Sequence, residues 1–296
     1  MDWDKLRIFH SVADAGSFTH AAEQLNLSQS AISRQVSALE TDLGVPLFAR
    51  HARGLILTEQ GETLYRTVHE VMGKLELTVS ALTESTERPQ GKLRVTTTVG
   101  LGTGWLTTRV HEFLELYPDV QLEINLIDEE LDLATLQADC AIRLRQPQQA
   151  DLIQRKLFTV HFHLYASPGY IARHGQPKSM DDLDNHRILV FGENTPAYLS
   201  DTNWLKTAGR AENNPRIPTG EVNNMVALRK MTEGGAGICV LPDYIVDKRH
   251  ELIPLMQSAE VPSFDTYFCY PQSMRGSAKL KAFRDFLIAK SREWEF

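Results

Sequence analysis

The most constraining feature of this chain is a pair of short helix patterns in residues 17–43, separated by a very short connection. Ser17 and Ser28 each precede one pattern, and a serine in this position can accept a hydrogen bond from a free amide of the helix. Asn26 and Leu27 form the connection. The spacing predicts a helix-turn-helix, whose second helix can lie in the major groove of DNA.

The second helix has an apolar face and a polar face. Apolar side chains recur at helical spacing and predict a buried stripe at Ile32, Val36, Leu39 and Leu43. The opposite face and the first turn carry side chains that can bind base edges and phosphates, namely Gln29, Ser30, Ser33, Arg34 and Ser37. Each of these residues alone would suit a solvated helix face, but their combination with the turn favours DNA contact.

This region resembles the LysR-type transcriptional regulators of bacteria, in which a winged helix-turn-helix is followed by a long linker helix and an effector domain. The resemblance continues through residues 43–50 and 57–61, which are similar to the wing of that family and to its junction with the linker. It implies that Arg50 and Arg53 lie on the wing, which contacts the DNA backbone or minor groove. A charged hairpin on any small domain would have a similar sequence.

The charge of the chain excludes a strongly basic DNA-binding domain. The formal net charge is -7, and in residues 1–58 five Lys and Arg residues face six Asp and Glu residues, for a net charge of -1. Affinity for DNA must therefore depend on where the positive charges lie, and we expect a single copy to bind weakly. Two copies would double the phosphate contacts, so the chain should contain a dimerisation surface.

A run without proline between residues 58 and 88 is long enough for about eight helical turns. Its apolar residues alternate at spacings of four and three, as in a coiled-coil seam, with Thr78 in one seam position. The predicted seam consists of Leu64, Val68, Val71, Leu75 and Leu82. The alternative is a helix packed on its own domain, but we expect no globular surface of similar length in the chain. We therefore predict dimerisation through this helix.

The remaining two hundred or so residues alternate strand and helix patterns and suffice for an α/β core. Strand patterns cover residues 93–98, 120–127, 140–144, 157–166, 187–191, 217–222 and 237–241, and helix patterns cover 103–116 and 227–232. In LysR-type proteins this part forms two α/β subdomains similar to periplasmic binding proteins, with a small-molecule cleft between them. The resemblance implies crossovers near His161 and Thr266 and returns the C-terminal helix to the first subdomain.

These observations predict an α+β multidomain protein. We expect a winged helix-turn-helix in residues 1–58, a linker and dimerisation helix in 59–89 and an effector-binding domain in 90–296. Within the last domain, subdomain I covers 90–161 and 267–296, and subdomain II covers 162–266.

A glycine-rich loop at residues 100–105 comes close to a dinucleotide-binding fingerprint. Trp105 occupies its third glycine position, where close packing leaves little room for a side chain, so a nicotinamide-dependent enzyme is the disfavoured alternative. The loop suits an anion better, because amides at residues 102–104 and the hydroxyls of Thr97, Thr98 and Thr103 could bind a carboxylate.

The family resemblance implies that facing loops of both subdomains contact the effector. It therefore adds Leu101, Gly102, Asn223 and Asn224 to the candidate effector-binding residues. Either asparagine could instead cap the helix that follows it.

The other chemically active residues give weaker signals. Cys140, Cys239 and Cys269 lie in predicted strands and suit buried positions, and a redox-responsive regulator remains the alternative if two of them are exposed with a lowered pKa. His161 and His163 share a strand face without a nearby third ligand, so we predict no metal site.

No nucleophile, base and orienting acid can be assembled from the sequence, so we predict no enzyme and no cofactor besides an unidentified small-molecule effector. Residues 1–30 contain no apolar signal segment and the chain has no membrane-length apolar span, which favours a cytoplasmic protein without a membrane partner. The expected partners are double-stranded DNA, the effector, further copies of the chain in a dimer or tetramer, and RNA polymerase.

Overall fold

The computed structural model describes residues 2–51, 54–83, 88–129, 133, 138–147, 149, 151–192, 197–211, 213–246 and 251–293. They belong to two compact units, divided after Glu84, which we call the N-terminal unit and the C-terminal unit. Among the described helices, none combines the length and the apolar character needed to cross a bilayer. The domain and subdomain boundaries given above remain predictions.

The N-terminal unit begins with three helices, α1 (Trp3–Ala15), α2 (Phe18–Leu25) and α3 (Gln29–Leu43). The serines expected before α2 and α3 are N-caps, since Ser17 accepts a hydrogen bond from the amide of Thr19 and Ser28 from that of Ala31. All three helices end at a residue in the left-handed conformation, Gly16, Asn26 and Gly44.

The wing follows α3 as an antiparallel hairpin of β1 (Phe48–His51) and β2 (Gly54–Leu57), and α4 (Glu59–Thr83) begins directly after it. The carboxylate of Glu40 on α3 accepts hydrogen bonds from the amides of Leu47 and Phe48 at 2.7 and 3.2 Å. The backbone at the start of the wing is therefore hydrogen-bonded to the helix that precedes it.

Apolar packing in the N-terminal unit confirms most of the predicted stripe on α3. Ile32 and Val36 pack with residues of α1 and α2, and Leu39 packs with Leu6 and Phe9 of α1. The predicted burial of Leu43 is wrong, because the helix ends at that residue and leaves its side chain 39% exposed.

The C-terminal unit contains a sheet of seven strands and a small sheet of two. The seven are β3 (Gly91–Thr97), β4 (Val120–Leu126), β5 (Cys140–Arg143), β6 (Leu152–Ala166), β9 (Cys239–Pro242), β10 (Ile253–Leu255) and β11 (Ser263–Pro271). The small parallel sheet pairs β7 (Leu189–Phe191) with β8 (Gly220–Val222). The helices are α5 (Val99–Leu101), α6 (Val110–Leu116), α7 (Pro168–His174), α8 (Met225–Glu233) and α9 (Ala278–Arg292).

Two long strands, β6 and β11, run antiparallel to each other through the larger sheet. The first part of β6 pairs with β11, and its later part pairs with β9 and β10. On the other side, β11 pairs with β5, which is parallel to β3, and β3 is parallel to β4. The strand pairing of β11 with β6 is irregular between Asp265 and Tyr267. β6 and β11 therefore join β9 and β10 on one side to β5, β3 and β4 on the other in one continuous sheet.

Most predicted strands are present, although their ends differ from the patterns by a few residues, and one predicted helix is divided. β6 begins at Leu152, five residues earlier than its pattern, and β8 covers only Gly220–Val222. The helix predicted at 103–116 starts at Val99, continues as a π-helical turn over Gly102–Leu106 and is interrupted before α6. The C-terminal helix α9 packs Phe283 against Phe113 of α6, with ring centroids 5.1 Å apart.

Candidate DNA-binding and effector sites

The polar face of α3 carries the candidate DNA-binding residues. Gln29, Ser30, Arg34 and Ser37 are exposed, and Ser33 is half-buried. The opposite face is fixed inside the unit, because Ile32, Val36 and Leu39 are almost completely inaccessible to solvent. Burial of one face therefore determines which side chains the helix offers to a partner.

Hydrogen bonds organise the first turns of this helix. The Nε of Arg34 donates to the carbonyl oxygen of Ser30 at 3.1 Å, which uses one of the five N–H donors of the guanidinium group. The hydroxyls of Ser28 and Ser30 lie 3.1 Å apart next to the capped helix end. This hydrogen bond holds Arg34 along the polar face. The N–H groups of its two terminal nitrogens do not take part in this bond.

The wing residues can be located only in part. Arg50 lies on β1 opposite Leu55 of β2, and its side chain is outside the described part. Arg53 lies outside the described residues altogether. Contact of either arginine with DNA remains a prediction.

The predicted dimerisation seam divides into two parts along α4. Val68 is only 3% exposed and packs with Leu6 and Phe9, and the half-buried Leu64 packs against the same cluster. Their assignment to an intermolecular seam is therefore corrected, because these two residues complete the core of their own unit. Val71 and Leu75 are 39% and 47% exposed, and the side chain of Leu82 is not described.

The candidate effector cleft lies in the C-terminal unit, where β3 ends against α5 and α8. Thr98 lines the cleft, Thr97 is buried next to it on β3, and neither hydroxyl has a hydrogen-bond partner among the described residues. The cleft is nearly closed, with a cavity of about 10 Å³, close to the space of one water molecule. Its lining consists of Thr98, Gly100, Asp128, Leu144, Phe162, Phe191, Leu199, Thr202, Met225 and Tyr244.

Close packing of α5 against α8 keeps the cleft closed. A Cβ atom on Gly100 would lie 3.1 Å from the hydroxyl of Tyr244 and 3.4 Å from the Cβ of Met225. A side chain at residue 100 would therefore fit tightly, and Tyr244 would have to shift by a few tenths of an ångström to accommodate it. Among the predicted effector residues, Thr98 reaches this cavity, and the sequence missed the aromatic and acidic side chains around it.

The anion site predicted at the amides of residues 102–104 is wrong, because the helix begins at Val99. The amide of Gly102 already donates to the carbonyl oxygen of Thr98 at 2.9 Å. At the actual helix start, the amide of Val99 donates to the carboxylate of Asp128, also at 2.9 Å. An acidic side chain of the protein therefore already accepts a hydrogen bond at the true start of this helix.

The other residues of the glycine-rich loop have packing roles. Leu101 is buried, Thr103 is exposed and does not line the cavity, and a Cβ on Gly102 would meet Leu126 at 2.2 Å. Trp105 is fully buried and packs on Phe158, with ring centroids 4.7 Å apart. The indole fills the position where a dinucleotide fingerprint needs a glycine, which opposes the nicotinamide alternative.

Charged groups lie under the cleft. Burial raises the pKa of Asp128, and the amide of Val99 and the charge of Arg143 oppose this rise. Arg143 is itself buried and donates to the hydroxyl of Thr96 at 3.1 Å and to the carbonyl oxygen of Ile127 at 3.3 Å. Polar groups fixed in this way can orient a bound molecule at small cost.

The two asparagines before α8 do not line the cavity. Asn224 caps the helix, since its Oδ1 accepts a hydrogen bond from the amide of Ala227 at 2.9 Å. Asn223 is exposed and packs beside Gly192. The capping alternative is therefore correct for Asn224, and the neighbouring Met225 is the residue of this segment that reaches the cleft.

The three cysteines are buried, and none of them forms a disulfide bond. Burial raises the pKa of Cys239 to about 12, although a hydrogen bond from Thr232 opposes this rise, and burial also raises the pKa of Cys140. Reactive thiols need exposure and a lowered pKa, so this arrangement opposes the redox alternative. Burial lowers the pKa of His163, in keeping with a packing role for this strand residue.

Two family models match the chain. "Bacterial regulatory helix-turn-helix protein, lysR family" covers residues 3–62, and "LysR substrate binding domain" covers residues 86–292. The HTH-type transcriptional regulator CrgA of Neisseria meningitidis serogroup C (strain 8013) is 33% identical over 291 residues, which are 96% of this chain and 95% of CrgA. PtxR of Pseudomonas aeruginosa is 31% identical over 293 residues, with coverage of 97% and 92%.

Solved structures give the same assignment. The structure of CrgA from Neisseria meningitidis is similar with a TM-score of 0.62 at 29% identity and covers 98% of this chain and 99% of its own. Full-length CbnR complexed with its target DNA shares the fold at 20% identity, with a TM-score of 0.68 over 98% of this chain and 100% of CbnR. From its capped recognition helix to its α/β unit, the chain is a LysR-type transcriptional regulator, with a DNA-binding helix-turn-helix and an effector-binding domain.

Proposed function

We propose that this regulator contacts its operator through the polar face of α3 and that a small molecule in the nearly closed cleft changes the contact. The observation that carries the proposal is the division of α3, with Ser30, Arg34 and Ser37 exposed opposite a fully buried stripe. Arginine can bind guanine bidentately, and serine can donate to or accept from several base edges. The wing arginines, Arg50 and Arg53, would add backbone or minor-groove contacts.

Two copies are needed for useful affinity, because residues 1–58 carry a net charge of -1. The exposed apolar residues Val71 and Leu75 on α4 supply the surface that a second copy would cover. Leu82 follows at the same spacing. A dimer or tetramer formed here would present two α3 helices to two half-sites.

The effector would bind beside Thr98, whose buried hydroxyl, like that of the adjacent Thr97, has no hydrogen-bond partner among the described residues. An unpartnered buried hydroxyl costs free energy that a ligand with a polar group can recover. Because the cleft now has space for about one water molecule, a metabolite would select a more open state of the C-terminal unit. The linker helices would then alter the spacing of the two DNA-binding units.

The relatives of this chain are transcriptional regulators, and we propose that it likewise acts on RNA polymerase at promoters and catalyses no reaction. As a DNA-binding regulator it would work beside the chromosome in the cytoplasm.

The test begins with selection of bound fragments from sheared host DNA, which yields the operator. Arg34→Ala should weaken specific binding to it by about 1–3 kcal/mol, with fold and oligomeric state unchanged. Arg7→Ala is a matched control, because Arg7 is an exposed arginine on α1 that does not belong to the polar face of α3. Unchanged binding of the Arg34 variant, or an equal loss in the control, would overturn the recognition-helix assignment.

A further inference from the structure

Two histidines from distant parts of the sequence face each other inside the N-terminal unit. Nε2 of His10 on α1 lies 2.8 Å from Nδ1 of His69 on α4. Nδ1 of His10 lies 3.3 Å from a carboxylate oxygen of Asp14, and the hydroxyl of Tyr65 donates to the other oxygen of that carboxylate. The imidazole of His10 also stacks on the rings of His69 and Tyr65, at centroid distances of 5.1 and 5.3 Å.

We propose that His10 and His69 bind a divalent transition-metal ion of the zinc class, with Asp14 as the carboxylate that orients His10. Nothing in the DNA or effector site uses these residues. The proposal departs from our prediction of no metal site, which considered only the histidine pair on β6.

The separation of the two ring nitrogens fits such an ion. A tetrahedral zinc ion with Zn–N bonds of about 2.0–2.1 Å holds two imidazole nitrogens about 3.3 Å apart. The observed 2.8 Å differs from this by about half an ångström, a shift that small side-chain rotations can supply. Without a metal, a hydrogen atom must lie between the two nitrogens. Because His10 carries its hydrogen on Nδ1, that hydrogen belongs to Nδ1 of His69. When the ion binds, this proton moves by exchange with solvent to Nε2 of His69, and the lone pairs of His10 Nε2 and His69 Nδ1 point at the metal.

Asp14 prepares His10 for this role. A carboxylate that accepts the Nδ1 hydrogen of an imidazole fixes the tautomer whose Nε2 lone pair is available to a metal, and it increases the basicity of the ring. Tyr65 in turn holds the carboxylate, and burial together with this hydrogen bond raises the pKa of the tyrosine. One ligand atom from each of His10, Asp14 and His69 lies within 4.8 Å of the other two, so the carboxylate charge is close to the ion.

The site can exchange its ion with solvent. The side chain of Asp14 is 43% exposed, whereas that of His10 is 12% exposed. An ion would thus approach from the carboxylate side and keep water molecules in its remaining positions. Two imidazole ligands favour zinc, nickel or copper over magnesium or calcium, which prefer oxygen ligands. A bound ion would join α1 of the helix-turn-helix to α4.

The test uses the full-length protein without a histidine tag. Zn²⁺ affinity is measured by competition with a chromophoric chelator, and Co²⁺ is used as a spectroscopic probe of the ligands. We expect a single Zn²⁺ per chain, a visible Co²⁺ spectrum and no competition from Mg²⁺. His69→Gln, which keeps a hydrogen-bonding side chain, should weaken Zn²⁺ binding by about tenfold or more, and Asp14→Asn by about 10–100-fold.

His20→Gln is the matched control, because His20 is an exposed histidine of α2 in the same unit. It should bind Zn²⁺ as the unchanged protein does. Equal affinity of the His69 variant and the unchanged protein, or an equal loss in the His20 variant, would overturn the proposal. If circular dichroism shows that His69→Gln does not fold, the test is the melting temperature of the unchanged protein, measured with Zn²⁺ and with Mg²⁺. A rise with Zn²⁺ but not with Mg²⁺ supports the site, and no rise overturns it.

Discussion

The polar face of α3 and the cleft beside α5 differ in how they hold their polar groups. On α3, Ser30, Arg34 and Ser37 are exposed on a helix whose other face is buried in a core. In the cleft, Thr98 is buried with a hydroxyl that has no hydrogen-bond partner among the described residues, as is Thr97 beside it. The first arrangement is ready to bind a large partner without rearrangement. The second stores an unfavourable free energy that a ligand can release, which suits a site whose occupation must change the protein.

The largest expected effect would show that the loop beside the cleft is a packed core element and not a cofactor site. Trp105→Ala should lower the free energy of unfolding of the C-terminal unit by about 3–5 kcal/mol, because it empties a fully buried position beside Phe158. Calorimetry or urea denaturation measures the change. Trp3→Ala, at a residue 40% exposed in the N-terminal unit, should change stability far less. A loss below about 1 kcal/mol at Trp105 would contradict this packing role.

A second comparison separates the two parts of α4. Val68→Ala should lower the free energy of unfolding by about 2 kcal/mol and leave the dimer affinity unchanged, because Val68 belongs to its own core. Leu75→Ala should leave stability within about 0.5 kcal/mol and raise the dimer dissociation constant about tenfold or more. Sedimentation and urea denaturation of both variants give the answer. The opposite pattern would place the dimer seam at Val68.

A smaller effect would test the stored free energy of the cleft. Thr98→Val removes a buried hydroxyl without a partner and keeps the shape of the side chain, so it should raise the free energy of unfolding by about 1 kcal/mol. The same variant should respond less to the effector. Ser30→Ala on α3 is the comparison, since an exposed hydroxyl carries no such cost and its loss should not stabilise the protein. Destabilisation by Thr98→Val would mean that its hydroxyl already has a partner.

The smallest expected effect concerns the cysteine thiols, which should not react with a thiol reagent in the native protein. Because burial raises the pKa of Cys239 to about 12 and also raises that of Cys140, both stay protonated at pH 8. A thiol reagent should therefore label the native protein only after denaturant is added. Rapid labelling of two cysteines in the native state, abolished by mild peroxide, would restore the redox alternative.

The sequence was sufficient to predict α3 and its buried face, because helical periodicity and N-caps depend on residues close together in the chain. Ile32, Val36 and Leu39 are buried as their spacing predicted, whereas Leu43 is exposed because the helix ends there. The cleft was harder to predict, because Asp128 follows β4 and Tyr244 follows β9, and these segments meet Gly100 only in the folded unit.

Other errors also have a physical cause. Glycines at 100, 102 and 104 suppress helix propensity, so the helix start at Val99 was not apparent from the sequence. A Cβ atom at residue 102 or 104 would clash with Leu126 or Tyr244, so tertiary packing favours glycine there. Likewise, His10 and His69 are 59 residues apart and meet only because α4 packs on α1. This separation in the sequence is why the sequence did not predict the histidine pair.

The hydrogen bonds from Leu47 and Phe48 to the carboxylate of Glu40 have a consequence for the length of DNA that one copy can occupy. They tie the recognition helix to the start of the wing, so we expect the DNA footprint of one copy to be the same with and without the effector. We then expect an effector to change the interval between two such footprints. Operators that differ in that interval, with identical half-sites, should differ in whether the effector strengthens or weakens binding.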